Sequence, residues 1–170
     1  MLEDKLIKEW ICSKLNIKET FRLDSLYKNS FALNYLFVWT IFERKNFDSF
    51  MKVGKIEEFA KQKINYIDIL EEYFYHFYER YKIGEEGNKK RKNLCHKSKC
   101  NGRCYTPCKF YQILKKEFEK ISAEEKIYFL VYIVYRYRNN MFHGTKGLES
   151  WIRYKSEIER CIDIMMKLSN

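Results

Sequence analysis

The chain has 170 residues, with 33 Lys and Arg against 23 Asp and Glu for a net charge of +10, and it is 46% hydrophobic and 18% aromatic with a single proline. That length suits one domain with a substantial core. No apolar run reaches membrane-spanning length, because Lys, Arg or Glu interrupts each one, and Met1-Leu2-Glu3-Asp4-Lys5 lacks the basic-then-apolar order of a secretion signal, so a cytoplasmic protein is expected.

In chain order, a first helix is predicted over residues 3–15, with Leu2, Leu6, Trp10 and Ile11 on one side. A long helix follows from Asp24 or Ser25 to Lys45, carrying Leu26, Leu33, Leu36, Phe37, Trp39, Ile41 and Phe42. Glu43 falls in line with Ala32, Leu36 and Trp39, which aims its carboxylate along an apolar face; the alternative is a surface glutamate at a helix end. Past a weak stretch broken at Gly54, residues 65–82 read as a helix crowded with Tyr66, Ile69, Leu70, Tyr73, Phe74, Phe77, Tyr78 and Tyr81. Such a ladder is able to stack bases, but at helical spacing it reads as core, and His76 within it reads as structural.

Residues 84–108 lose helical periodicity and look like a basic, cysteine-rich insertion within a single helical domain spanning residues 1–170. Between Gly87 and Lys116 there are ten basic residues and no Asp or Glu; removing those ten from 33 leaves 23 basic against 23 acidic residues elsewhere. The whole excess therefore sits in one segment, as expected for a neutral body that holds a polyanion through Lys89, Lys90, Arg91 and Lys92; a solvated loop is the alternative. Cys95, Cys100, Cys104 and Cys108 are spaced C-x4-C-x3-C-x3-C. In a cytoplasmic chain clustered thiols point to a metal, most simply a structural tetrahedral zinc, since four thiolates leave no position for a catalytic water. His96 as a replacement ligand, an iron–sulfur cluster and unligated cysteines stay open, whereas Cys12 and Cys161 look like core residues.

A helix from Cys108 to about Lys120 comes next, and Ser122-Ala123-Glu124-Glu125 reads as the capping box that opens the longest apolar helix. There Ile127, Leu130, Val131 and Val134 draw one stripe, which Arg138 continues. A buried arginine needs a partner, and Glu43 is the best-placed carboxylate. His143 follows five residues later, directly before Gly144, a residue suited to ending a helix. Five residues on an ideal helix separate side chains by about 140°, so both address one ligand only if the last turn loosens. Asn139 projects between them and is able to orient either neighbour or a substrate oxygen. Histidine moves protons near neutral pH and guanidinium stabilises charge on phosphate oxygens, which is a parts list for phosphodiester chemistry. The plain alternative is an arginine that caps carbonyls and a histidine that ends a helix. A last helix over residues 148–168 sets Trp151, Ile152, Ile158, Cys161, Ile162, Met165 and Met166 inward; with no strand pattern, the fold class is all-α, a compact helical bundle.

The run Arg138-Asn139-Asn140-Met141-Phe142-His143 resembles the R-polar-x(3–5)-H motif of the HEPN superfamily, and the flanking helices resemble that family's C-terminal half. The resemblance implies a metal-independent endoribonuclease of a toxin–antitoxin or anti-phage defence system. In that family's reaction the 2′-hydroxyl attacks the adjacent phosphate, leaving 2′,3′-cyclic phosphate and 5′-hydroxyl ends. It implies catalytic roles for Arg138, His143 and Asn139 and a supporting carboxylate matched to Glu43 by helix face; RNA contacts are expected from Lys89, Lys90, Arg91 and Lys92 of the basic segment and from Arg136. It also implies a homodimer with two motifs facing one cleft, and a cognate antitoxin or defence partner. The position two residues after the histidine, a tyrosine in members silenced by nucleotidylation, is Thr145 here, a departure from that mode of control. The alternative from another class is a non-catalytic RNA-binding or adaptor bundle with a structural zinc loop.

Overall fold

The structure is a computed structural model, and it describes residues 31–48, 50–92, 94, 105–142 and 148–170. Its helices are α1 (Phe31–Phe47), α2 (Ile56–Gln62), α3 (Glu71–Tyr81), α4 (Glu85–Lys92), α5 (Tyr105–Leu114), α6 (Ala123–Phe142), α7 (Leu148–Arg153) and α8 (Lys155–Leu168), with short 3-10 turns at Val53–Lys55, Ile64–Tyr66 and Phe118–Lys120. The described residues contain no strand, so the all-α expectation holds. The helix expected over residues 3–15 and the start of the one expected from residue 24 lie outside the described residues.

The axis of the bundle is α6. Ser122 opens it as read from the sequence: Glu125 N donates to Ser122 Oγ at 3.3 Å while Ser122 N donates to Glu125 Oε2 at 3.1 Å. Every residue from Ile127 to Val134 is buried, so the helix is enclosed all round, where the sequence pattern implied a single stripe. It packs against α2, α3, α5 and α8. Phe129 stacks on Phe110 of α5, with centroids 4.5 Å apart, and meets Phe74 of α3 edge-on at 5.3 Å. Phe74 and Phe77 of the aromatic ladder are core, along with Tyr81, whereas Ile69 precedes the helix and is exposed.

Helix α1 packs along α8, and the residues it buries are Phe31, Tyr35, Trp39, Phe42 and Phe47. Leu33, Leu36, Phe37 and Ile41, all counted among its apolar residues, face outward, with Phe37 at 58% and Ile41 at 61% exposure. An all-apolar segment does not reveal from composition which side meets the core. The final helix is also two: it breaks at Tyr154, whose ring meets Tyr137 edge-on at 6.3 Å. Ile158, Cys161, Ile162 and Met165 point inward as expected, and Met166 does not.

The basic segment begins as a helix, contrary to the loop expected from residue 84. The acidic Glu85 and Glu86 sit at the positive N-terminal end of α4 and the Lys/Arg run at its negative end. Lys89 Nζ reaches Glu85 at 3.1 Å and Glu86 at 3.3 Å across one turn. Gly84, at φ +153°, makes the corner, and a Cβ on Gly87 would lie 1.9 Å from the Lys82 carbonyl oxygen, so only glycine lets α4 approach the end of α3. Downstream, α5 starts before Cys108 and ends at Leu114; Pro107 falls in its first turn, where no backbone N–H is needed.

Candidate functional site

Near the C-terminal end of α6 the half-buried Arg138 guanidinium lies over the ring of Trp39, 5.6 Å from its centroid. Its Nη1 donates to Asn139 Oδ1 at 3.1 Å, and Asn139 is itself buried. Of the two roles open to that amide, it takes the one of orienting the arginine. One turn earlier, the buried Tyr35 hydroxyl of α1 donates to the Val134 carbonyl at 2.8 Å and fixes α1 against α6.

Glu43 was expected to pair with Arg138 directly, and the geometry corrects this. Its Oε2 accepts from Trp39 Nε1 at 3.0 Å and its Oε1 accepts from the Met51 backbone N at 2.8 Å. The carboxylate therefore reaches the arginine only through the indole. Helix-face alignment gave Glu43 the right direction but could not show that Trp39, one turn back, stands in between.

The surrounding hydroxyls and thiol are poor proton carriers near neutral pH. Burial pushes Tyr81 up to about 12. It also raises Tyr137, which shares a 3.2 Å hydrogen bond with Tyr81. Tyr35 and the fully buried Cys161 thiol are pushed well above their ordinary values, again mainly by burial. His143, the expected proton carrier, lies outside the described residues, as do Cys95, Cys100, Cys104, His96 and the side chains of Cys108 and Lys92. Among the described residues no group of three or more His, Cys, Asp or Glu is placed to hold a metal ion.

The expected RNA contacts fare unevenly. Arg136 is 4% exposed, and its Nε donates to the Leu94 carbonyl. It is a structural tie between α6 and the residue just before the cysteine run, not a surface contact. Arg91 is likewise turned inward: its Nη1 donates to the Tyr81 carbonyl and, at 2.7 Å, to the Lys82 carbonyl, closing the end of α3, while its guanidinium lies 5.4 Å from the Tyr111 centroid. Lys89 is held by Glu85 and Glu86, and Lys90 is half-buried. Farther along, Lys109 pairs with Glu57 at 2.7 Å and Lys116 with Glu125 at 2.6 Å. Three of the segment's ten basic residues, Lys89, Lys109 and Lys116, thus meet carboxylates among the described residues.

A second polar group escaped the sequence reading. Arg80 Nη1 meets Glu157 Oε1 at 2.6 Å, the buried Glu157 also accepts from Ser156 Oγ at 2.9 Å, and His76 lies one turn from Arg80 on α3. The His76/Arg80 spacing was visible, but the Glu157 partner comes from the far end of the chain. Compared with known protein families, curated proteins and solved structures, the chain matches none. No described helix is long and apolar enough to cross a membrane.

Proposed function

We propose that this chain is a metal-independent endoribonuclease with Arg138 and His143 as its catalytic pair. The observation that carries this reading is the setting of Arg138: over the ring of Trp39 and held by Asn139 through one Nη, on the last described turns before His143. In the reaction, the RNA 2′-oxygen bonds to the adjacent phosphorus and the bond to the 5′-oxygen breaks. His143 takes the 2′-hydroxyl proton or supplies one to the leaving 5′-oxygen, and Arg138 stabilises the charge on the non-bridging oxygens. Two chains with facing motifs would divide the acid and base roles between two histidines. Cys95, Cys100, Cys104 and Cys108 would hold zinc as a structural element, outside the chemistry.

The test is incubation of the purified protein with total RNA in EDTA, with mapping of the cut ends and elemental analysis of the same preparation. Cleavage is expected to survive chelation and leave cyclic phosphates, and His143→Ala and Arg138→Ala are each expected to lower the rate by about 100-fold or more. Ends bearing 5′-phosphate, or a fully active His143→Ala, would overturn the mechanism. A second reading, an adaptor bundle, is favoured by the exposed ridge of Leu33, Phe37 and Ile41 on α1. It predicts RNA or partner binding with no cleavage under any condition, and binding that ignores His143.

A further inference from the structure

We infer that Trp39 is the positioning residue of this site and that Glu43 is its anchor; the inference rests on the reading of Arg138 as the group that contacts phosphate. A guanidinium carries its five N–H donors in the plane of the group, and its faces are weakly hydrated. An indole, the best aromatic partner for a cation, attracts the group through its ring face and takes up none of its N–H donors. The 5.6 Å separation from the Trp39 centroid is within the range of such contacts.

The indole is fixed in turn. Trp39 is buried, its N–H points at Glu43 Oε2 over 3.0 Å, and the other Glu43 oxygen is fixed by Met51 N at 2.8 Å, so the carboxylate cannot swing toward the arginine without losing both bonds. A negative charge at the ring's N–H edge enriches the ring electronically and strengthens its attraction for the cation above it. The routing matters. A carboxylate in direct contact with Arg138 would compete with phosphate for its donors; Glu43, acting through the indole, supports the cation without itself occupying those donors.

The test uses full-length protein with Trp10→Phe and Trp151→Phe, so that Trp39 alone fluoresces, titrated with a 2′-O-methyl RNA oligonucleotide that cannot be cleaved. A saturable change in Trp39 emission is expected on binding, and Arg138→Ala is expected to remove it. In cleavage assays of otherwise unmodified protein, Trp39→Phe keeps an aromatic face and core volume but loses the link to Glu43. It is expected to lower kcat about tenfold with KM changed less than about threefold. Glu43→Gln, whose amide oxygen still accepts from the indole, is expected to lose about threefold, and Glu43→Ala more. Wild-type kcat in Trp39→Phe, or silent Trp39 emission where Arg138→Ala abolishes cleavage, overturns the inference alone. A wild-type protein that neither binds nor cleaves RNA overturns the nuclease reading and the inference with it.

Discussion

Two arginines flank the end of α6 and are held in opposite ways. Arg80 is neutralised: its Nη1 lies 2.6 Å from Glu157, in a setting lined by Tyr81 and Tyr154. Arg138 is supported by the face of Trp39 and the amide of Asn139, with the nearby carboxylate of Glu43 engaged elsewhere. The same residue type, on neighbouring sides of one helix end, meets a carboxylate in one case and an aromatic face with a side-chain amide in the other. A buried arginine's function is thus read from what receives its charge, more than from its burial.

The comparison breaks most readily at Glu157. Glu157→Ala leaves Arg80 in a largely buried place without its carboxylate, and a loss of about 3 kcal/mol is expected in urea melts. Removing both charges together, as Arg80→Met with Glu157→Leu, is expected to recover most of that loss. Arg138→Ala is expected to cost less, about 1–2 kcal/mol, because it removes the contact with the Trp39 ring and the donor to Asn139 Oδ1 but leaves Glu43 with both its partners. Equal losses at the two sites would erase the distinction drawn between them.

Arg136 sharpens the comparison at a smaller scale, as an arginine whose charge is received by a backbone carbonyl. Arg136→Met keeps the buried stem and orphans the Leu94 oxygen, and a loss of about 2 kcal/mol is expected. The dependence of RNA binding on salt is expected to stay as in wild type. A fall of about one unit in the slope of log K against log salt would restore Arg136 as a phosphate contact.

What could be read from the sequence follows the range of the interaction responsible. The capping box of α6 and the Phe74/Phe77/Tyr81 face are local patterns, and both are found as expected. Helix α4 was missed because nothing apolar marks it; what forms it is charge order along one helix and the approach that Gly87 permits to the Lys82 carbonyl. The side of α1 that faces α8 was equally hidden, since Leu33, Phe37 and Ile41 are as apolar as Phe31, Tyr35 and Phe42. At the site, the motif drew attention to Arg138 and Asn139. The roles of Glu43 and Arg136 depended on contacts with Trp39 and Leu94 that no helical wheel contains.

The finest test concerns His76, which sits where Arg80 of its own helix and Glu157 and Arg160 of α8 converge. Its Nε2 is buried and has no hydrogen-bond partner among the described residues. Burial lowers its pKa first, Arg160 and Arg80 lower it further, and Glu157 opposes them without reversing the shift. The folded chain thus holds a neutral imidazole at pH values where the unfolded chain, with an ordinary histidine near 6.5, already takes up a proton. Because the unfolded state binds more protons in that window, stability is expected to fall as pH drops through about 6.5 and to level off below the lowered folded value. The chain has two further histidines, so the measurement is the difference between wild type and His76→Gln in melting temperature at pH 7.5 and 5.5. The wild type is expected to lose more on acidification. If both lose equally, the imidazole takes up its proton at the same pH in the folded and the unfolded chain, and Glu157 offsets burial and the two arginines.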